Sequence, residues 1–385
     1  MREDRIWEVD CGTMTWLREP VSRRSALRRG GGIVLGASVF AGLIGCGGDD
    51  GGGSSSGGSG SGRPGDGKTI ALSLNGFNTY DQDMAEGCLK ALEGTAYKLI
   101  GAEAGFDAKT EVDNINQLVA RQPDGLIILA ASAEGAARAA SQAKRADIPV
   151  VTTIWFPVSE EVDSVYYAAT QLDTAEGGKL AIDYVAKELD GAPGKILEIT
   201  GLDAQPITIG YKQGMREALK EYPNLEFVAS QQGFYTADGA IKALRPMLSA
   251  NPDSNVIIDY AAEMGVAIAQ ELERRGRKDI VHITSDINDR SPAWFKKENG
   301  AYLKGSRWFS AGSEGVVTTM ILRNKLEKDE APTAENVGME GFEVVADTAD
   351  PIIVKIRQVL STAENIDTLP PPGYNEFAND IPFGG

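Results

Sequence analysis

Residues able to do chemistry gather at a few places in this chain, each just after a short apolar run. They are Asn75-Gly76-Phe77-Asn78-Thr79-Tyr80-Asp81, then Trp155-Phe156-Pro157, Phe234-Tyr235, Tyr260, Asp286 and Trp308-Phe309. Carboxylates and aromatic rings thus recur at equivalent positions. Two carboxylates such as Asp81 and Asp286 could exchange protons with a substrate, as glycoside hydrolysis requires. The same groups could instead hold a polar solute and leave it unchanged. Other catalytic chemistries lack their parts. His282 is the only histidine, so no histidine-based metal cluster can form, and any Ser-His-Asp triad would have to use that ring. It stands inside a run that reads as a strand, 280–285, where a core histidine is the common case. No phosphate-cradling G-x-x-x-x-G-K-[ST] occurs in the folded part, nor a G-x-G-x-x-G after a strand. Neither a metal nor a cofactor is expected.

The elements that must position these residues show in the hydropathy. From Lys68 onward short apolar runs alternate with amphipathic stretches, a spacing that suits strand-helix-strand units. Strands are expected at 69–74, 97–101, 126–130 and 148–154. A second set is expected at 195–200, 225–231, 255–259 and 280–285. Val112, Ile115, Leu118 and Val119 mark one helical face, and 133–146 is alanine-rich with Arg138, Lys144 and Arg145 as its polar side. Further helices are expected near 174–189, 207–221, 236–249 and 261–275. Runs such as Leu126-Ile127-Ile128-Leu129 are apolar throughout, as in a parallel sheet covered on both faces. The fold class is therefore α/β, with two doubly wound parallel-sheet lobes. In such sheets a ligand crevice lies at the carboxyl ends of the strands, where the rings and acids fall.

Ordered landmarks give these halves a family likeness. They are Asn78-Thr79-Tyr80 before a helix carrying Glu86-Gly87, Pro123-Asp124-Gly125 before an apolar strand, Ile148-Pro149-Val150-Val151, Asp173 followed by Gly177-Gly178-Lys179, Gly214 opening an apolar helix, and Asp286 after a strand. In their order and spacing the chain from Lys68 resembles the ribose-binding-protein-like (type 1) periplasmic solute-binding proteins of sugar ABC transporters. The resemblance implies three crossings between lobes, which act as a hinge. It places 68–172 with 309–342 in the first lobe and 173–308 with 343–385 in the second. It also implies a solute-binding protein, not an enzyme, that captures a small molecule, most readily a sugar, and passes it to an ABC permease. A cationic or heteroaromatic solute, or presentation to a membrane receptor as a sensor, stays open.

The resemblance further implies that Asn78 and Asp286 bind sugar hydroxyls and that Tyr80 and Tyr235 stack on the ring. Asp81, Trp155, Gln205, Tyr260 and Trp308 complete the expected cleft. The departures from the family pattern matter here. Ile154-Trp155 stands where the pentose binder has Asp-Arg, and Ile209 where it has another arginine. Ala261 replaces an asparagine, and Phe309 or Trp308 a glutamine. Losing two arginines and gaining rings makes the expected pocket more apolar and more negative, which disfavours ribose itself.

The chain has 385 residues, 38 Lys and Arg against 55 Asp and Glu, a net charge of -17 and three cysteines. That length predicts about two domains, and the acidity argues against a partner gripped through nucleic-acid phosphates. Three cysteines cannot carry a disulfide framework. Residues 1–45 read as an export signal. Arg23-Arg24 with Leu27 resembles the twin-arginine pattern, and Leu43-Ile44-Gly45-Cys46 resembles the lipobox, in which Cys46 becomes the lipidated first residue. The acids ahead of the arginines are unusual for an export signal, and Met14 offers an alternative start. Residues 46–67 are a Gly/Ser tether unable to bury enough apolar surface to fold. The expected product is an extracytoplasmic domain tethered to the membrane by lipid at Cys46. Cys88 is expected as a small core residue of a helix.

Overall fold

Apolar runs buried on both faces set the architecture. The computed structural model describes residues 6–12, 15–18, 65, 67–154, 159–288, 290–337, 341–345 and 351–368. Its strands are β1 Trp7–Asp10, β2 Thr15–Arg18, β3 Thr69–Leu74, β4 Lys98–Glu103, β5 Gly125–Leu129, β6 Val150–Thr153, β7 Ala168–Leu172, β8 Gly194–Thr200, β9 Leu225–Gln232, β10 Val256–Asp259, β11 Val281–Ser285, β12 Gly305–Trp308, β13 Phe342–Val344, β14 Ile352–Ile356 and β15 Val359–Thr362. Its helices are α1 Thr79–Leu92, α2 Ala108–Val119, α3 Ala133–Arg145, α4 Glu160–Asp163, α5 Thr174–Leu189, α6 Pro206–Ala218, α7 Ala237–Ala250, α8 Ala262–Arg275, α9 Ser291–Lys296 and α10 Ala311–Lys328. The eight expected strands appear within two residues of their expected ends. The helix expected to reach residue 221 stops at Ala218.

One sheet runs β13-β14-β7-β6-β5-β3-β4-β1-β2 and the other β15-β12-β11-β10-β8-β9. The pairs among β3 to β7, and β14 with β7, are parallel. Each end of the first sheet is finished by antiparallel strands. β5 is buried along its whole length, which is why it reads as an unbroken apolar run. β11 is equally buried but carries His282, Thr284 and Ser285, of which His282 and Thr284 are hydrogen-bonded to Asp259.

The chain leaves the first sheet after β7 and returns between β12 and α10, the helix that packs on α1 and on β5 to β7. The third crossing departs from expectation. It falls at Arg357–Gln358, not at residue 343, because Ile352-Ile353-Val354-Lys355-Ile356 pairs in parallel with Ala168–Leu172 of the first sheet. Only β15 then joins the second sheet, antiparallel to β12.

A second departure lies at the start of the chain. Residues 7–10, assigned above to an export signal, form an antiparallel strand between β4 and the edge strand β2, with Trp7 opposite Gly101. Ile6, Trp7, Val9 and Cys11 are buried. A Cβ on residue 101 would stand 2.2 Å from the Trp7 indole, so glycine makes room for that ring. Cys46 and most of the tether lie outside the described residues. Processing at Cys46 would remove this strand pair, and a chain beginning at Cys46 is therefore expected to melt below the full chain. In the full chain Trp7→Ala should cost about 3 kcal/mol, the usual loss for a buried aromatic. Equal melting temperatures for full chain, truncation and variant would show that the strand pair contributes nothing.

Cys88 is a buried core residue of α1, as expected. Burial pushes its thiol up to about 12, so it is an inert thiol near neutral pH.

Candidate functional site

The carboxyl ends of both parallel sheets face one cleft. From the first lobe come Asn75, Asn78 and Tyr80 after β3, Phe106 after β4, Leu129 at the end of β5 and Ile154 after β6. From the second come Gln205 and Ile207 after β8, Tyr235 after β9, Tyr260, Ala261 and Glu263 after β10, and Ser285 with Asp286 at the end of β11. Phe309 stands at the crossing between them. The cavity between them is small, about 40 Å³, and the lobes are drawn together.

Contacts across the cleft say the same. Thr79 donates its backbone N–H to Glu263 Oε1 at 2.8 Å, and its hydroxyl donates to the same oxygen. Gln205 Nε2 donates to Ala130 O at 3.2 Å. The Phe106 and Tyr235 rings lie 5.7 Å apart. Thr79, Ala130 and Phe106 belong to one lobe, and Glu263, Gln205 and Tyr235 to the other. In two-lobed binders closure is the form that touches a ligand from both sides.

Each of the three tyrosine rings is aimed by its own hydroxyl. Tyr80 donates to Glu314 of α10, Tyr260 donates to Glu198 at 2.6 Å, and Tyr235 shares a hydrogen bond of 3.0 Å with Thr208. With the hydroxyls so committed, ring faces and edges remain for packing. Glu314 also accepts from Thr170 and from the Ile154 backbone N–H. That last bond helps hold Ile154 at φ 48°, a left-handed conformation that β-branched residues rarely adopt. Gly201 makes room for Tyr235: a Cβ there would stand 1.8 Å from its ring. Below the cleft floor Arg307 is fully buried, 3.9 Å from the centre of the Tyr211 ring and 5.3 Å from that of Tyr260. Tyr211 is hydrogen-bonded to the cleft residue Ser285 at 2.9 Å.

Asp286 sits at φ 67°, a conformation Asp tolerates better than most residues. Its backbone N–H donates to Arg307 O at 2.7 Å, and its Oδ1 accepts from the Ile287 N–H at 2.7 Å. Burial holds its carboxyl well above the usual range, and the negative charges of Asp83 and Glu263 add to the effect.

Two expected cleft residues lie elsewhere. Asp81 is buried beneath the first turn of α1, with its oxygens turned to the backbone N–H groups of Gly76 and Asn78, while Asn78 accepts from the Asp81 N–H. This is a reciprocal helix cap, so Asp81 builds the mouth of the cleft without lining it. Trp308 is buried in β12, and the following ring, Phe309, lines the cleft instead. Asn78, Tyr80, Gln205, Tyr235, Tyr260 and Asp286 do come together. Trp155 lies outside the described residues. Phe106, Glu263 and Ser285 were missed, although Phe106 follows a strand just as the selected rings do. His282 is a core residue, bonded to Asp259 Oδ2 and Tyr302 O at 2.8 Å each. Among the described residues no acid, histidine or cysteine cluster could hold a metal, and no helix is long and apolar enough to cross a membrane.

The cap has a pH signature. Burial pushes the Asp81 carboxyl up to about 7 from its ordinary 3.8, against the pull of two backbone hydrogen bonds. The folded state thus prefers the protonated acid, and this preference supports folding at low pH and fades as pH rises through about 7. Asp81→Asn keeps one acceptor without the charge. The loss of stability between pH 5 and 8 should be smaller in this variant by about 2 to 3 kcal/mol, read from urea unfolding at both pH values.

Two α/β lobes closing on a cleft lined from both sheets define a two-lobed solute-binding protein. The model of the periplasmic binding protein domain matches residues 70–330, and the chain belongs to that family, whose members bind solutes and do not transform them. The galactofuranose-binding protein YtfQ of Escherichia coli K12 is 27% identical over 195 residues, 49% of this chain and 60% of that protein. The ribose import binding protein RbsB of the same organism is 25% identical over 219 residues, 57% of this chain and 72% of that protein. The match thus spans less than two thirds of the first relative's length. Among solved structures, a galactofuranose binding protein superposes with a TM-score of 0.68 at 19% identity, covering 78% of this chain and 96% of that one. A solute-binding protein of Burkholderia graminis C4D1M in complex with D-arabinose does so at 0.67 and 17% identity, covering 79% and 98%. At these identities the likeness carries the fold alone.

Proposed function

We propose that this chain is the extracytoplasmic receptor of an ABC importer, taking a monosaccharide-sized solute into the interlobe cleft and delivering it to the permease. The observation that carries the reading is the pairing of ring faces with an acid: Tyr80, Phe106, Tyr235, Tyr260 and Phe309 surround a space that Asp286 also faces. The apolar C–H face of a sugar packs on such rings, while a carboxylate accepts its hydroxyls. The roles follow from position. Asn78, Gln205 and Asp286 bond hydroxyls, and Tyr80, Tyr235 and Tyr260 pack on the ring. The relatives named for galactofuranose and ribose support a sugar ligand. Residues 1–45 serve as export signal, and lipid at Cys46 with the 46–67 tether keeps the domain at the membrane face.

The test is a thermal-shift screen of residues 68–385 against sugars, polyols, nucleosides and cationic solutes. A ligand present at 100 times its dissociation constant stabilises the folded state by about 2.7 kcal/mol. A shift within one sugar family supports the reading, and shifts with none of the sugars or polyols remove it. Incorporation of a labelled fatty acid that disappears in Cys46→Ala tests the anchor, and label retained in that variant refutes it.

A further inference from the structure

The charge on the cleft wall is one-sided. Asp286 and Glu263 line it, and among the described residues no Lys or Arg does. The charges felt most strongly by Asp286 are those of Asp83 and Glu263, both negative. Arg307 does not line the cleft; it is stacked on Tyr211 and donates to Asp259 O at 2.9 Å.

Gln205 adds an independent observation. The residue is 4% exposed, lines the cleft and spends its Nε2 on Ala130 O, yet its Oε1 is buried with no partner. A buried acceptor without a donor costs free energy until a ligand supplies one. The tyrosine hydroxyls do not meet it: Tyr80 and Tyr260 donate to Glu314 and Glu198, and Tyr235 is paired with Thr208. What the cleft offers is thus a pair of acids, a waiting amide oxygen and several ring faces, whose quadrupoles attract cations. Facing Glu263 and buried, Asp286 is pushed towards its neutral form, and an ammonium group is the ligand chemistry that favours the carboxylate, whereas a neutral sugar supplies no counter-charge.

We propose that the ligand is an amino sugar or amino polyol whose ammonium group is held by Asp286 and Glu263 against the aromatic faces, with a hydroxyl or amine N–H donated to Gln205 Oε1. This rests on the sugar-receptor reading and narrows it to a donor-rich, positively charged member of that class.

Calorimetric titration with matched pairs tests it: D-glucosamine against D-glucose and D-galactosamine against D-galactose, with the amines protonated, alongside choline and putrescine. The expected result is an amino sugar bound about tenfold or more tighter than its neutral partner. That preference should shrink towards parity in Asp286→Asn, checked to be folded by its melting curve. A neutral sugar bound as tightly as its amino partner overturns the proposal and leaves the sugar reading standing. So does an amino preference unchanged in Asp286→Asn and in Glu263→Gln. Binding of choline or putrescine with no sugar overturns the sugar reading and keeps the cation site. Binding of none overturns both.

Discussion

Asp286→Ala is expected to weaken ligand binding about 100-fold or more while the protein stays folded. A carboxylate accepting two ligand donors contributes about 1.5 to 3 kcal/mol per bond, and truncation removes both bonds at once. Stability should move little, because two effects oppose. Removing a buried acid whose charge is resisted by Asp83 and Glu263 relieves the folded state. Placing alanine at φ 67° strains it by about 1 to 2 kcal/mol. Asp286→Asn separates these terms, since asparagine tolerates the left-handed conformation and keeps the Oδ1 that accepts from Ile287. The asparagine variant should melt at or above the parent temperature and still bind at least tenfold more weakly, because its amide cannot supply the charge. Calorimetric titration of both variants with the ligand from the thermal screen decides the matter. Parent-like affinity in both would remove Asp286 from the site.

The sheets were legible in the sequence because a parallel strand buried on both faces leaves no ambiguity of period: Leu126 to Leu129 can hardly be anything else once turn residues flank it. The cleft was legible only as far as its residues follow strands directly. Asp81 shows the limit. Asn78-Thr79-Tyr80-Asp81 carries a cap spacing and a binding-site composition at once, and the backbone at Gly76 and Asn78 claimed the acid. Trp308 and Phe309 were separated by alternation, since neighbouring side chains of a strand point to opposite faces and a one-residue change in where β12 ends exchanges them. Glu314 could not be found by local reading at all. Its partners, Tyr80, Thr170 and Ile154, lie 144 or more residues away and meet it only through the return of α10 to the first lobe. The third crossing was misplaced for a similar reason, because nothing local to Ile352–Ile356 says which sheet it joins, and its partner Ala168–Leu172 lies far away in the chain.

Gly87→Val should be among the most damaging single changes in the protein, and it would reach the cleft through stability. α1 and α10 pack backbone to backbone. A Cβ on residue 87 would stand 2.0 Å from Gly312 O, and a Cβ on residue 315 would stand 2.1 Å from Met84 O. No rotamer relieves a clash with a carbonyl of the facing helix, so the two helices must move apart and open voids along both. The expected cost is about 4 kcal/mol or more, at the upper end for a point substitution. Separation also carries Tyr80 on α1 away from Glu314 on α10, and with it the ring that their hydrogen bond aims into the cleft. Protein that still folds should therefore bind ligand more weakly although residue 87 touches none of the cleft. Gly135→Ala supplies the control. Gly135 lies in α3, and its added Cβ would meet only ordinary contacts of 3.4 Å and beyond, so that variant should gain up to about 1 kcal/mol from helix propensity. Urea unfolding of the two variants reads the contrast, and equal stability would mean that α1 and α10 are not in backbone contact.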